Sequence, residues 1–442
     1  MGGRIMRKVV FFEKGFAFII VGSLIFSGLG LIPTQTQAAI NHKGYDFIII
    51  TPADFSNELQ PLVTHKEQHA ITTKIVTLDD IYDSVYFPVQ GRDDAEKIKY
   101  FIKNVYDSWN VPYVLFVGGR ALIPLRRCSN IPQEDVPIDF TSELYYADIY
   151  DTDGNFSSWD SDNDSIFGEW YNRSKAEDTQ QDLTPEIGLG RLPCYKTSEV
   201  RAIVNKIIQY ESTPADPSSF HTMVVAGGET FVEYPGLEGE IMTQNALDIM
   251  TGFNPVKLWY SNGNLGLLGL SIVRAINKGC GFLYLAGHGN TYVWVTSNPE
   301  GKTASMFSIL NVPLLRNWGQ YPVCILSGCH VCKIEKSSCL GWQLTKNQKN
   351  GAIATIGPTN VGYLGFEYNG GGMDLLELQF FREYINGTTT IGDIWRQTLI
   401  HFLDMYPIDW NLPAGENCAI DAKMVQEWIL IGDPTLKIGG YS

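Results

Sequence analysis

The sequence predicts an α/β fold made of two tandem α/β units, 39–219 and 220–442, each with a mainly parallel sheet flanked by helices. Three observations predict it. Short apolar runs alternate with amphipathic stretches along most of the 442 residues, the pattern of parallel strands joined by crossover helices. The runs are continuous, not alternating, as strands buried on both faces require. One stretch rich in proline and serine, Ser212–Ser219 (STPADPSS), divides the alternation in two.

Ahead of the first unit, Arg4, Arg7, Lys8 and Lys14 precede an apolar run from Gly15 to Ile32, then Pro33 and Thr36-Gln37-Ala38. This is the outline of a secretory signal peptide over 1–38, which places the mature protein outside the cytoplasm. The alternative is an uncleaved anchor, since the run reaches the minimum span of about 17 residues. Cleavage takes away four basic residues and one acidic one. The 33 basic against 48 acidic residues then become 29 against 47, so the net charge moves from -15 to -18.

The first unit opens with strand-like Tyr45–Thr51 (YDFIIIT), Thr72–Thr77 and Val111–Val117. Between the last two, Asp93–Trp109 places Ile98, Phe101, Ile102 and Val105 at helical spacing behind an acidic start. A long segment, 148–185, interrupts this unit. It carries Asp151, Asp153, Asp160, Asp162 and Asp164, with Asp148 before them and Glu169 just beyond. Dense carboxylates on a Gly/Ser/Asn-rich backbone suit a hard cation, so a structural Ca²⁺ is expected there. Neither Asp151 nor Asp160 starts an EF-hand register, and the alternative is a solvated acidic loop.

In the second unit the strand-like segments are Thr222–Gly227, Val256–Tyr260, Gly281–Ala286, Pro322–Ser327 and Gly351–Ile356. Helices are expected at Gly239–Met250, Gly269–Lys278, Ala304–Trp318 and Leu340–Lys349. Three more close the chain: Met373–Ile385, Ile391–Met405 and Ala419–Leu430.

Composition excludes several classes. Hydrophobic residues at 44% and charged residues at 18% exclude wholesale disorder. The acidic balance argues against nucleic acid as a partner, because that binding depends on basic groups neutralising phosphates. Eight cysteines in this length do not make a disulfide scaffold.

Two motifs lie where an open α/β sheet places working residues, past the carboxyl ends of strands. Phe282–Asn290 (FLYLAGHGN) ends in Gly287-His288-Gly289, and Pro322–Cys329 (PVCILSGC) ends in a thiol after Ser327-Gly328. A thiolate beside an imidazole is a cysteine-peptidase arrangement. The flanking glycines let a substrate backbone approach and free main-chain N–H groups for an oxyanion. The same residues support rivals: a Cys329-x-x-Cys332 dithiol for thiol–disulfide exchange, and a zinc site from His288, Cys329, His330, Cys332 and Cys339.

Ordered blocks along the chain make it resemble the gingipain-like cysteine peptidases of the caspase-like fold group. In the first unit these are Tyr113–Arg126 (YVLFVGGRALIPLR), Ser142–Asp148 and Glu186–Tyr210. In the second they are Gly287–Asn290 with Trp294, Ser327–Cys329, Gly351–Thr359 (GAIATIGPT), Thr390–Trp395 and Leu430–Leu436 (LIGDPTL). The resemblance implies a caspase-like catalytic second unit that cleaves protein or peptide substrates and needs no cofactor for its chemistry. It implies Cys329 as nucleophile, His288 as general base and acid, and an oxyanion hole from the main-chain N–H of Cys329 and Gly289. It places Glu229, closing Val224–Glu229, as the carboxylate that orients the imidazole, with Glu233 and Asp248 as substitutes. Glu238 and Glu240 stand as acidic pocket groups favouring a basic residue before the cut, and Trp294 as a pocket wall. The alternatives are a solvated helix face for the two glutamates and core packing for the tryptophan. The chain departs from the family pattern at Cys329-His330-Val331-Cys332-Lys333, where a glycine and a phenylalanine are usual, and at Gly341, where a glutamate is common. A catalytically silent scaffold of the same fold is the non-enzymatic alternative.

Overall fold

The computed structural model describes residues 44–441, apart from 131–138, 172–173, 232–235, 366–369 and 416. The expected signal peptide and Glu233 lie outside the described residues. Strands of the first series are β1 (Phe47–Thr51), β2 (Thr73–Thr77), β3 (Tyr113–Val117), β4 (Arg126–Ser129), β5 (Asp139–Ser142) and β6 (Gly188–Leu192). Those of the second are β7 (Thr222–Gly227), β8 (Asn254–Trp259), β9 (Phe282–Ala286), β10 (His288–Asn290), β11 (Val293–Ser297), β12 (Thr303–Ser308), β13 (Val323–Ser327), β14 (Ala354–Pro358) and β15 (Trp428–Ile431).

Ten of these strands form a single sheet in the order β2-β1-β3-β6-β15-β14-β13-β9-β7-β8. All neighbours are parallel except β14 and β15. The two expected units are therefore two five-stranded parallel halves of opposite direction, joined edge to edge in one sheet. The last strand in sequence, β15, belongs to the first half, so a cut at 212–219 does not separate two cores. From residue 43 onward the chain forms one compact unit.

The apolar runs became strands for the expected reason. β1, β3, β9 and β13 are buried along all or nearly all of their length, because helices cover both faces of a parallel sheet. β6 (GLGRL) is less apolar and Gly190 has a use: a Cβ there would lie 2.3 Å from the Gly432 carbonyl oxygen, so a side chain would push β6 away from the turn after β15.

Two helical expectations are corrected. Residues of Ala304–Trp318 form β12 and a 3-10 turn at Val312–Leu314. Ser305 and Phe307 are buried while Met306 is exposed, a period of two that the apolar content concealed. Ala419–Leu430 divides into a helix, Asn417–Glu427, and the buried strand β15.

A buried ion network locks the C-terminal turn to the first half. Lys66, on the helix Ser56–Gln68, lies 2.8 Å from Glu211 at the end of the helix Thr197–Ser212. It also lies 2.8 Å from Asp433 just after β15. Glu211 further accepts from His65 and from the Lys437 main-chain N–H.

Candidate active site

β9 and β13 are neighbours in the sheet, and their last residues, Ala286 and Ser327, are register partners. The main-chain N–H of Gly287 donates to the Ser327 carbonyl at 3.2 Å, so both strands end at one level. Beyond that level the two turns press together. A Cβ on Gly328 would lie 2.9 Å from the His288 carbonyl oxygen, and one on Gly289 would lie 3.0 Å from that of Cys329. Glycine at both positions is what allows this approach. His288 and Cys329, side by side past the ends of adjacent strands, are both half-buried.

After His288 the chain turns into a small antiparallel sheet, β10-β11-β12, with Gly289 opposite Trp294. Trp294 is wholly buried and lies beneath Gly287, where a Cβ would come 3.3 Å from its indole. It supports the histidine turn from inside the core, and its ring has no exposed face to form the expected pocket wall.

The imidazole is held by a main-chain oxygen. His288 Nε2 lies 2.7 Å from the Thr230 carbonyl, with the Phe231 ring edge-on at 5.8 Å. A carbonyl only accepts, so Nε2 carries a hydrogen, and in the neutral ring the lone pair lies on Nδ1. Among the described residues this carbonyl takes the place expected of the Glu229 carboxylate. Glu229 is fully buried and bridged to Ser297 in both directions through its main chain. That pairing turns its carboxylate toward the N–H groups of Gly236 and Leu237, at 3.4 and 3.3 Å.

Glu238, at the start of the helix Glu238–Ile249, accepts from the N–H groups of Thr230 and Phe231 at 3.0 and 3.3 Å. Burial, and then its contact with the Glu229 carboxyl, push its pKa up, because two adjacent carboxyls favour a shared proton. Glu229 and Glu238 thus tie down the segment whose Thr230 carbonyl sets the imidazole. Glu240 is nearly buried as well and accepts from the Ser261 N–H at 2.8 Å and from its hydroxyl. Asp248, the other substitute, is spent on Gln244.

Cys329 sits against a wall that sequence reasoning did not reach. Burial pushes its thiol up, and the Gly362 main-chain N–H opposes that shift. Behind Gly362, the fully buried Lys423 donates to the Val361 carbonyl at 2.7 Å and pairs with the buried Glu427. Thr359 N–H bonds the Glu427 carbonyl at 3.0 Å. His330, next in the chain, adopts a left-handed φ of 61° and donates its N–H to the Asn360 carbonyl.

The rival readings find little geometry. Cys332 is wholly buried and points into the core, where Cβ atoms on Gly341 and Gly357 would come 2.6 and 3.0 Å from its sulfur. The thiols that bear on it electrostatically are Cys339 and Cys324, and all eight cysteines are free. Among the described residues, the groups able to hold a metal ion are all carboxylates, Asp160 with Asp162 and Asp178, and Asp162 with Asp164 and Glu169. Asp151 and Asp153 stay outside them, because the Asp151 carboxylate caps its own turn through the N–H groups of Asp153 and Asn155. Asp178 is the member that the spacing of the loop did not point to.

Comparison with known proteins bears on the family and the fold. The family model described as peptidase family C25 matches residues 40–439. Gingipain R2 of Porphyromonas gingivalis is 22% identical over 404 residues, 88% of this chain and 45% of that protein. An uncharacterised protein of Archaeoglobus fulgidus is 23% identical over 305 residues, 65% of this chain and 67% of its own length. The chain therefore spans less than half of the first of these relatives. In fold, it is similar to the crystal structure of the Arg-specific cysteine proteinase gingipain R, with a TM-score of 0.64 and 19% identity over 90% of this chain and 79% of that one. The complex of gingipain pro- and mature domains from P. gingivalis gives the same TM-score at 17% identity, over 89% and 79%.

Proposed function

The chain belongs to peptidase family C25, the gingipain family, and on that premise we propose that it is a secreted cysteine endopeptidase working through Cys329 and His288. The observation that carries this reading is the register of β9 and β13, which presents a thiol and an imidazole on touching glycine turns. No helix among the described residues is long and apolar enough to cross a membrane. Export rests on the signal peptide read over residues 1–38.

The chemistry follows from the atoms. With Nε2 held by the Thr230 carbonyl, His288 Nδ1 takes the proton from the Cys329 thiol. The sulfur then attacks the scissile carbonyl carbon, and the main-chain N–H groups of Cys329 and Gly289 receive the negative oxygen. Collapse breaks the C–N bond, and His288 returns its proton to the departing amine. Water, deprotonated by His288, attacks the thioester, and the sulfur leaves and regains its proton.

A basic residue before the cut is the preferred substrate, with Glu240 and Glu238 as the acidic groups near the histidine segment. Both now accept main-chain N–H bonds, so a guanidinium or ammonium would share these carboxylates with the backbone.

An electrophilic peptide carrying Arg or Lys next to its warhead tests the reading. Labelling should map to Cys329, and His288→Ala should slow it about 10²–10⁴-fold, the usual contribution of a general base. Equal labelling of wild type and His288→Ala would overturn the dyad. No labelling of the wild type would favour the silent scaffold.

A further inference from the structure

The small sheet β10-β11-β12 turns one face to the core and the other to solvent. Residues directly opposite each other in an antiparallel pair point to the same face, and successive residues alternate between faces. Trp294 with its partner Phe307, and Thr296 with its partner Ser305, face inward, and all four are buried. The alternate set faces outward. His288 pairs with Val295, and Val295 pairs with Met306, so His288 is the first member of a row that crosses all three strands.

The row continues past β12. The Met306 main-chain N–H donates to the Leu267 carbonyl at 2.9 Å, and the Ser305 hydroxyl donates to that of Gly266 at 2.7 Å. The turn 266–269 therefore lies along the outer edge of β12 like a fourth strand. Gly269 permits the approach, since a Cβ there would lie 2.4 Å from the Met306 carbonyl oxygen. The Asn311 side-chain amide holds the Leu268 carbonyl at 2.9 Å. Val295 is half-buried, while Met306, Leu267 and Leu268 are 37, 53 and 60% exposed. Single apolar side chains on a surface need no explanation, but a contiguous run of them marks an interaction site.

Neighbouring strands lie about 4.8 Å apart, so Val295 stands about 5 Å, Met306 about 10 Å and the Leu267 turn about 15 Å from His288, main chain to main chain. An extended peptide advances about 3.4 Å per residue, so a chain crossing this face from a bond held at Cys329 reaches Met306 after about three residues and Leu267 after about four. We propose that Val295, Met306, Leu267 and Leu268 form an extended substrate subsite that takes an apolar side chain about three to four residues from the cut. This rests on the peptidase reading and adds an apolar requirement to the basic residue before the cut. The occupant is a substrate segment because the row starts at His288: whatever lies along it also lies beside the nucleophile.

Binding is read on the full chain as Cys329→Ala, which holds a peptide without forming a thioester. One fluorescent peptide carries a single Arg before the bond and Leu about three and four residues from the bond on both sides, and its control carries Ser at those places. The Leu peptide should bind at least about 10-fold more tightly, the scale on which apolar contacts discriminate side chains. Met306→Glu should abolish that preference, and so should Leu268→Glu, a change on the exposed turn that carries the test if the first variant does not fold. With Cys329 intact, the ratio of kcat/KM for the two peptides should fall in the same variants. Equal binding of the two peptides, or a preference that survives both substitutions in folded protein, overturns the proposal. So does a change in sedimentation on Met306→Glu, which would make this face a contact between two copies of the chain. If the preference is present but the enzyme with Cys329 cuts neither peptide, the peptidase reading fails and the subsite stands; if both peptides are cut without preference, the reverse holds.

Discussion

At the scale of single residues, the sheet holds an acid whose charge state couples to stability. Glu377 is fully buried and takes a hydrogen bond from the Tyr284 hydroxyl. Burial, the largest cause, pushes it up to about 8. A carboxyl whose pKa is raised by folding binds its proton more tightly in the native state than in the unfolded chain. Its contribution is therefore complete below the unfolded value, near 4.5, and is lost as pH rises through about 8. Glu427 and Glu186, both pushed up to about 7, act in the same direction. Glu377→Gln should lower the loss of stability between about pH 5 and 8 by up to about 1.4 kcal/mol per pH unit, read from denaturation midpoints across that range. An unchanged slope would show that the acid is already ionised in the native state. The candidate pair, Cys329 and His288, was legible at this scale because its signal is local: an apolar run, a glycine, then a thiol or an imidazole. The Thr230 carbonyl was not, since every residue carries a carbonyl and only the fold of the 229–238 segment aims this one.

Among elements, the helix Asn417–Glu427 backs the wall beside Cys329. Lys423 and Glu427 are both 0% exposed, four residues apart on that helix, and Lys423 anchors the Val361 carbonyl beside the Gly362 N–H that meets Cys329. Removing one partner of a buried pair leaves the other charge uncompensated. Lys423→Met should cost about 3–5 kcal/mol in denaturant unfolding, and Lys423→Met with Glu427→Leu should recover much of that loss. If the double variant is as unstable as the sum of the singles, the pair is not coupled. The boundary between this helix and β15 was hidden because both are apolar and adjacent, and hydrophobic content alone does not distinguish a buried helix from a buried strand. β12 was misread for a related reason: Met306, Ile309 and Leu310 mimic a helical stripe, while its pairing with β11 dictates alternation.

The whole molecule is a sheet with one seam. β15 pairs antiparallel with β14 and parallel with β6 through Ile431 and Arg191, and the Lys66 network ties the turn after β15 to two helices of the first half. Neither half has a complete edge without the other. The mature chain should therefore unfold in one calorimetric transition, with van't Hoff and calorimetric enthalpies equal. Two resolved transitions would mean that the halves are independent domains. The sequence by itself determined the α/β class, most of the strands, the placement of His288 and Cys329 just past strand ends and the acidic character of the 148–185 segment. Each follows from short-range patterns of burial, turn residues and charge. The tertiary structure alone decided that the two series share one sheet, that a main-chain carbonyl holds the imidazole, and that Asp178 and Glu169 join the carboxylates while Asp151 and Asp153 do not. These depend on contacts between residues far apart in the chain, where strand order and loop path, not local composition, set which atoms meet.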